Sequence, residues 1–131
     1  CAPIVEAFNK GLDHAPLWKN AHTIAAGIRV PAAIGDFLIL KAIKESGGCA
    51  LAVDDEHIMK VRDLISQEDG LLLCPEGAAT AAGYQVAIEQ KIINVNEKVM
   101  LFNCASGLKY PMPEVNQAID KNSSIKYEQF I

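Results

Sequence analysis

The sequence predicts an α/β fold, a parallel sheet with flanking helices, on three observations. Helix-like and strand-like stretches alternate as α, β, α, β, α, β along the chain. The strand-like runs, CALAV at 49–53, LLLC at 71–74 and VMLF at 99–102, are apolar without the alternation of a half-exposed antiparallel sheet. The segments between them are long enough for right-handed crossovers. Three strands are few for a finished doubly wound domain. The pattern therefore predicts an incomplete layer whose strand edges and helix faces expose apolar surface. That exposure predicts self-association or poor stability, and it leaves a homodimer open.

Each element has its own signals. Ala2 to Asn9 reads as a short helix, with Pro3 in its first turn, Ile4, Val5 and Phe8 on one face and Gly11 as its stop. A loop with Pro16 and the single tryptophan, Trp18, follows. The run from His22 to Val30 carries Ala25, Ala26 and Gly27, small enough for a close approach of backbone to a neighbour. A second helix is expected from about Ile34 to Ser46, apolar at Ile34, Phe37, Leu38 and Leu40 and closed by Gly47-Gly48. After the 49–53 strand, Asp54 stands where an N-cap belongs, with Asp55 and Glu56 at the positive end of a third helix. That helix runs to about Gln67, burying Ile58, Val61 and Ile65, leaving Lys60, Arg62 and Asp63 wet, and ending before Gly70. The 71–74 strand turns through Pro75-Glu76-Gly77 into a fourth helix from Ala78 to about Lys91, which opens with small side chains. The last strand, 99–102, breaks at Asn103 into the small, polar run CASGLKY. In an open α/β sheet such a break faces the ligand crevice. Beyond Tyr110 the chain reads as a surface tail over 111–131, with a short helix from Glu114 to Asp120 and Tyr127 and Phe130 as anchors.

Composition excludes several classes. The chain has 131 residues, half of them hydrophobic, with a net charge of −4 and a pI near 5.3. An acidic chain with singly scattered Lys and Arg argues against a nucleic-acid or anionic-membrane partner. No apolar run approaches the ~20 residues needed to span a bilayer, and no charged-then-apolar leader opens the chain, so a cytoplasmic setting is expected. Cysteines at 1, 49, 74 and 104 could form two disulfides. Three of them lie in or beside apolar runs, where a free thiol serves as a small buried hydrophobe, and free thiols are the expectation. Zinc is not expected either, because no C-x-x-C pair occurs and the three histidines lack ligand spacing. The opening at Cys1, directly into a helix-like run, reads as a cut from something longer.

Four segments, AHTIAAGIRVP at 21–31, IGDFLILKAIKESGG at 34–48, LLLCPEGAATAAG at 71–83 and VMLFNCASGLKY at 99–110, resemble the threonine synthase branch of the fold-type-II pyridoxal-phosphate enzymes. They follow the family's chain order and spacing and cover most of the sequence. The resemblance implies the C-terminal part of such an enzyme, and residues 1–110 as a segment of its tryptophan synthase β-like large domain. It implies pyridoxal 5'-phosphate as cofactor and O-phosphohomoserine as amino-acid substrate, converted with water to threonine and phosphate. The remainder of the parent chain becomes a partner, since the Schiff-base lysine and glycine-rich phosphate loop precede these segments in the family. No lysine here stands in a matching context, so the fragment itself is expected to be inactive. Another fold-type-II enzyme, a dehydratase or one like cysteate synthase, and a non-catalytic α/β binding module stay open as alternatives.

Five positions carry the cofactor-binding expectation. In the family a small hydroxyl residue faces the pyridine nitrogen in a pattern like T-G-S-G-L-K, where this chain has Cys104-Ala105-Ser106-Gly107-Leu108-Lys109. A thiol is a weaker hydrogen-bonding group than a hydroxyl. Cys104 is the first choice for the nitrogen, with Ser106 as the other and a functionless strand-end thiol as the competitor. The T-I-A-x-G stretch lines the cofactor ring in the family, which passes that role to Thr23 and Gly27, against helix packing as the plain alternative. Glu76 at the helix turn is the fifth. The helix dipole alone is a sufficient structural reason for an acid there.

Overall fold

The computed structural model describes residues 1–112, 120, 122–126 and 128. Among them are four α-helices: α1 (Pro3–Asn9), α2 (Asp36–Ser46), α3 (Asp55–Asp69) and α4 (Pro75–Glu89). Two 3₁₀ turns, Ala26–Ile28 and Gly107–Lys109, are also among the described residues. The caps are those expected. Asp54 accepts the His57 amide at 2.8 Å, and Gly47 and Gly70 close α2 and α3 in the left-handed region at φ 66° and 68°. The 15-residue helices α3 and α4 pack as an antiparallel-type hairpin across the short 70–74 connection, while α1 packs on α2 and the first 3₁₀ turn sits on α4.

The parallel sheet is not there. No strand occurs among the described residues, and the only pairing is an isolated antiparallel bridge between Leu73 and Ser106. No ladder joins 49–53, 71–74 and 99–102, and extended backbone without a ladder is not a sheet. Several of their side chains are also exposed where the sheet would have buried them. Leu71 is 58% exposed, Met100 95% and Phe102 77%. An unbroken apolar run states a demand for burial and does not supply the partner, which is why pattern alone misassigned the class.

The core is instead made where α3 meets α4. Val61, Ala81 and Ala82 are buried together, with Val53 and Ile65 packed on them. Alanines at 78, 81 and 82 let the two helix axes approach, and Ile58 fills the next turn of the seam. Arg62 departs from expectation, being only 4% exposed. Its Nε and Nη2 both donate to Asp63 Oδ1 at 3.1 Å, and Nη1 reaches the Pro111 carbonyl at 3.4 Å. On α2 only Asp36 and Leu40 are buried, and Ile34, Phe37 and Leu38 of the expected face lie open. Asp36 accepts the Ala15 amide at 2.7 Å and faces His14 Nδ1 at 3.3 Å, tying the 12–20 loop to α2. Cys74 is buried as expected, whereas Cys49 and Cys104 are exposed, and all four thiols are free. The helix expected at 114–120 falls, apart from Asp120, outside the described residues, as do Tyr127 and Phe130.

Candidate functional site at the α4 N-terminus

The site is built on the start of α4, one turn earlier than the sequence suggested. Pro75 occupies the first helical position, where its missing N–H costs nothing, and Cys74 is the N-cap. Its Sγ accepts the Gly77 amide at 3.2 Å, the role a serine hydroxyl commonly fills. The same sulfur donates to Asn103 Oδ1 at 3.3 Å and lies 3.8 Å from Cys104 Sγ. Glycine at 77 keeps this arrangement open, since a Cβ there would fall 2.0 Å from Asn103 Oδ1.

Glu76 projects from the first turn and is only 5% exposed. Its Oε1 accepts the Gly27 amide at 2.6 Å. Its Oε2 is buried with no hydrogen-bond partner among the described residues. Burial pushes the carboxyl up, but the Gly27 amide, its own amide, the Tyr110 hydroxyl and Cys74 outweigh it and hold the group below the usual value. In return Glu76 raises the Tyr110 hydroxyl to about 12. Tyr110 is thus an electrostatic neighbour of the carboxylate without completing a hydrogen bond to Oε2. The contact with Cys74 likewise raises the Cys104 thiol, with burial adding to it.

A cleft of about 810 Å³, mainly apolar, opens beside this turn, and Thr23, Gly27 and Glu76 all line it. Its size suits a cofactor or drug-sized molecule. Gly27 approaches Glu76 so closely that a Cβ would stand 2.9 Å from Oε1 and 3.2 Å from Cδ. This is the close backbone approach that the small-residue run foretold. Thr23 is committed elsewhere: its hydroxyl donates to Asp55 Oδ1 at 2.5 Å and accepts the Ala25 amide at 3.2 Å, and Asp55 Oδ2 also takes the Ile24 amide. Thr23 therefore clips the 21–31 segment to the N-terminus of α3.

Cys104 and Ser106 do not line the cleft. Cys104 is exposed and turned toward Cys74, and Ser106 Oγ accepts the Leu108 amide at 3.3 Å, capping the second 3₁₀ turn. Gly107 lets that turn press on the 70–74 connection, with a Cβ position only 2.6 Å from the Leu73 carbonyl oxygen. Cys74, Glu76 and Cys104 each offer a ligand atom, all within 4.8 Å of one another. Sequence reading missed this group. The signals were Pro75 behind a cap-competent Cys74 and an acid two residues on, but nothing in a 30-residue gap announces that Cys104 returns to the same turn.

No protein-family model matches the chain. Individual relatives do. Threonine synthase of Methanocaldococcus jannaschii is 37% identical over 109 residues, 83% of this chain and 27% of that protein. The chain is similar in sequence to threonine synthases. That of Methanosarcina acetivorans is 30% identical over 114 residues, covering 87% of the chain and 28% of the relative. The Mycobacterium tuberculosis threonine synthase is 30% identical over 93 residues, or 71% and 26%. The chain thus spans about a quarter of the length of the threonine synthases it matches. The resemblance read from the four sequence segments is borne out over most of the chain.

Proposed function

We propose that the chain is the C-terminal portion of a cytoplasmic threonine synthase whose parent converts O-phosphohomoserine and water to threonine and phosphate with pyridoxal 5'-phosphate. The observation that carries this reading is the similarity to threonine synthases across 83% of the chain. Residues 1–110 belong to the cofactor-bearing domain and 111–131 to a C-terminal tail. The remainder of the parent chain is the principal partner. It supplies the Schiff-base lysine and the phosphate loop, so the isolated chain is inactive.

The residues present suit the ring end of the cofactor. The cleft has the volume, and Glu76 Oε2 is a buried acceptor with no hydrogen-bond partner among the described residues. When bound, the cofactor supplies the electron sink of the reaction. The chain's own part is to hold and orient. The Gly27 amide fixes the Glu76 carboxylate, and the absent Gly27 side chain leaves that approach open. The Thr23 clip to Asp55 fixes the segment that carries Gly27. At the ring nitrogen Cys104 keeps the first place that the family pattern gives it, with Ser106 as the alternative, although neither lines the cleft as it stands.

Phosphate release from O-phosphohomoserine tests the reading. The purified 131-residue chain should show none, and turnover by it alone would refute the assignment of the missing parts. In the full-length parent, Cys104→Ser should keep substantial activity. Cys104→Ala should lose a hydrogen bond worth about 0.5–1.5 kcal/mol, roughly tenfold in rate or less. Damage by Ser106→Ala with a silent Cys104→Ala would move the nitrogen partner to Ser106. The relatives' names favour this substrate over those of the dehydratases or cysteate synthase, and over a non-catalytic module.

A further inference from the structure

Asp55 does more than its place in the sequence requires. The N-terminus of α3 is capped by Asp54, whose carboxylate accepts the His57 amide, and a second acid at the first helical position adds only a favourable interaction with the helix dipole. The Asp55 carboxylate instead reaches the 21–31 segment and engages three successive residues there. Its Oδ1 accepts the Thr23 hydroxyl at 2.5 Å, its Oδ2 accepts the Ile24 amide at 3.1 Å, and His22 Nδ1 stands 3.7 Å from Oδ2. Hydrogen bonds to an ionised acceptor are roughly twice as strong as those between neutral groups.

The segment so gripped has few other attachments. Between His22 and Val30 only Ala25 is buried, and Ile28 and Val30 are 50% and 43% exposed. It is entered through Asn20, in the left-handed region at φ 54°, and left at Pro31, whose carbonyl accepts the Trp18 amide at 2.9 Å. Between those ends two carboxylates on different helices hold it: Asp55 at the start of α3 takes residues 23 and 24, and Glu76 at the start of α4 takes the Gly27 amide at 2.6 Å. Thr23 Oγ1 also accepts the Ala25 amide at 3.2 Å, which carries the Asp55 contact along the backbone toward Gly27. Thr23, Gly27, Asp55 and Glu76 all line the cleft, so the segment is one of its walls. The fit at Gly27 leaves no room for drift, since even a Cβ there would stand 2.9 Å from Glu76 Oε1.

We propose that Asp55 is the positioning residue of this cleft: by fixing residues 22–24 it holds the Gly27 amide on Glu76, the carboxylate around which the ring end is built. What Glu76 then does for the cofactor rests on the function proposed above, whereas the positioning is a property of this chain alone.

The test compares two changes that each remove one negative charge from the start of α3. Asp54→Asn keeps a good cap. Asp55→Asn leaves one carbonyl oxygen for the two donors that Asp55 accepts. Thr23→Val removes one of those donors at nearly constant shape, and Thr23→Ser restores it. Amide hydrogen exchange of the 131-residue chain is followed residue by residue by NMR. Exchange at Ile24 and Gly27 should be faster by at least about tenfold in Asp55→Asn and in Thr23→Val, as expected for losing one hydrogen bond to a charged group. It should stay close to the parent in Asp54→Asn and Thr23→Ser. Burial raises the Glu76 carboxyl, and the Gly27 amide is the largest of the contacts that lower it. Loosening that amide in Asp55→Asn should therefore raise the Glu76 titration, which Asp54→Asn should leave in place. A role confined to the stability of α3 would not separate the two variants in this way. Unchanged Gly27 exchange in Asp55→Asn, or equal acceleration in Asp54→Asn, would overturn the proposal. Should Asp55→Asn lose its helical circular dichroism, Thr23→Val and its rescue by Thr23→Ser decide. No cofactor or substrate enters the measurement, so its outcome is separate from that of the enzyme assay.

Discussion

Replacing Gly27 by alanine isolates the contact that joins the 21–31 segment to α4. The backbone at Gly27 is not among the positive-φ positions, so alanine meets no conformational penalty there. Taken alone, the change should stabilise by about 0.4–1 kcal/mol through the unfolded chain. The obstacle is Glu76. The new Cβ would stand 2.9 Å from Oε1 and 3.2 Å from Cδ and Cγ, so the carboxylate must withdraw from the amide it accepts at 2.6 Å. A hydrogen bond to a charged group contributes about 1.5–3 kcal/mol, and its loss outweighs the entropic gain. The net expectation is a destabilisation of about 1–2 kcal/mol. With a urea dependence of about 1–3 kcal/mol/M, the unfolding midpoint followed by circular dichroism should fall by about 0.3–2 M. The same substitution in a Glu76→Ala background should change sign and become neutral or stabilising, since nothing remains to be displaced. Equal destabilisation in both backgrounds would refute the reasoning, and so would stabilisation in both.

Three further outcomes follow from the described contacts. Asp54→Ala should cost about 1 kcal/mol by removing the α3 N-cap, read as a lower thermal midpoint with Asp54→Ser close to the parent; no change would show that the cap is idle. The Asp36 carboxyl is held below its ordinary 3.8 chiefly by the Ala15 amide, with the Phe37 amide and His14 adding to this against burial. Its contribution is therefore complete above pH 3.8 and is lost as pH falls through the lower folded value. Acid unfolding should be steeper in the parent than in Asp36→Asn over that range, and identical curves would count against it. Finally, Ile34 at 98% exposure, Met100 at 95% and Phe102 at 77% should make the chain self-associate. Sedimentation should show mass above the monomer, reduced in Met100→Lys/Phe102→Lys, and a monomer at all concentrations would refute it.

The sequence by itself determined the helices and the kinship. Asp54, Gly47 and Gly70 announced the ends of α2 and α3, and the spacing of Ile58, Val61 and Ile65 announced the stripe that meets α4. These are local facts, fixed by backbone groups within a turn of each residue, and so a linear reading reaches them. The relation to threonine synthases was legible because four segments kept their order and spacing. Which apolar runs would find partners was decided only by the tertiary structure. The runs at 71–74 and 99–102 carry the residues of buried strands, yet strand pairing is a contact between distant segments, and among the described residues it goes no further than Leu73 and Ser106. The same holds for the site. Gly27 and Glu76, 49 residues apart, meet through an amide–carboxylate bond that neither residue signals alone. Thr23 has the right chemistry for a ligand but is spent on Asp55, 32 residues away, and Cys104 is carried to Cys74 by the path of the chain between them. Residue type states what a side chain can do; the long-range contacts that consume or free its polar atoms decide what it is left to do.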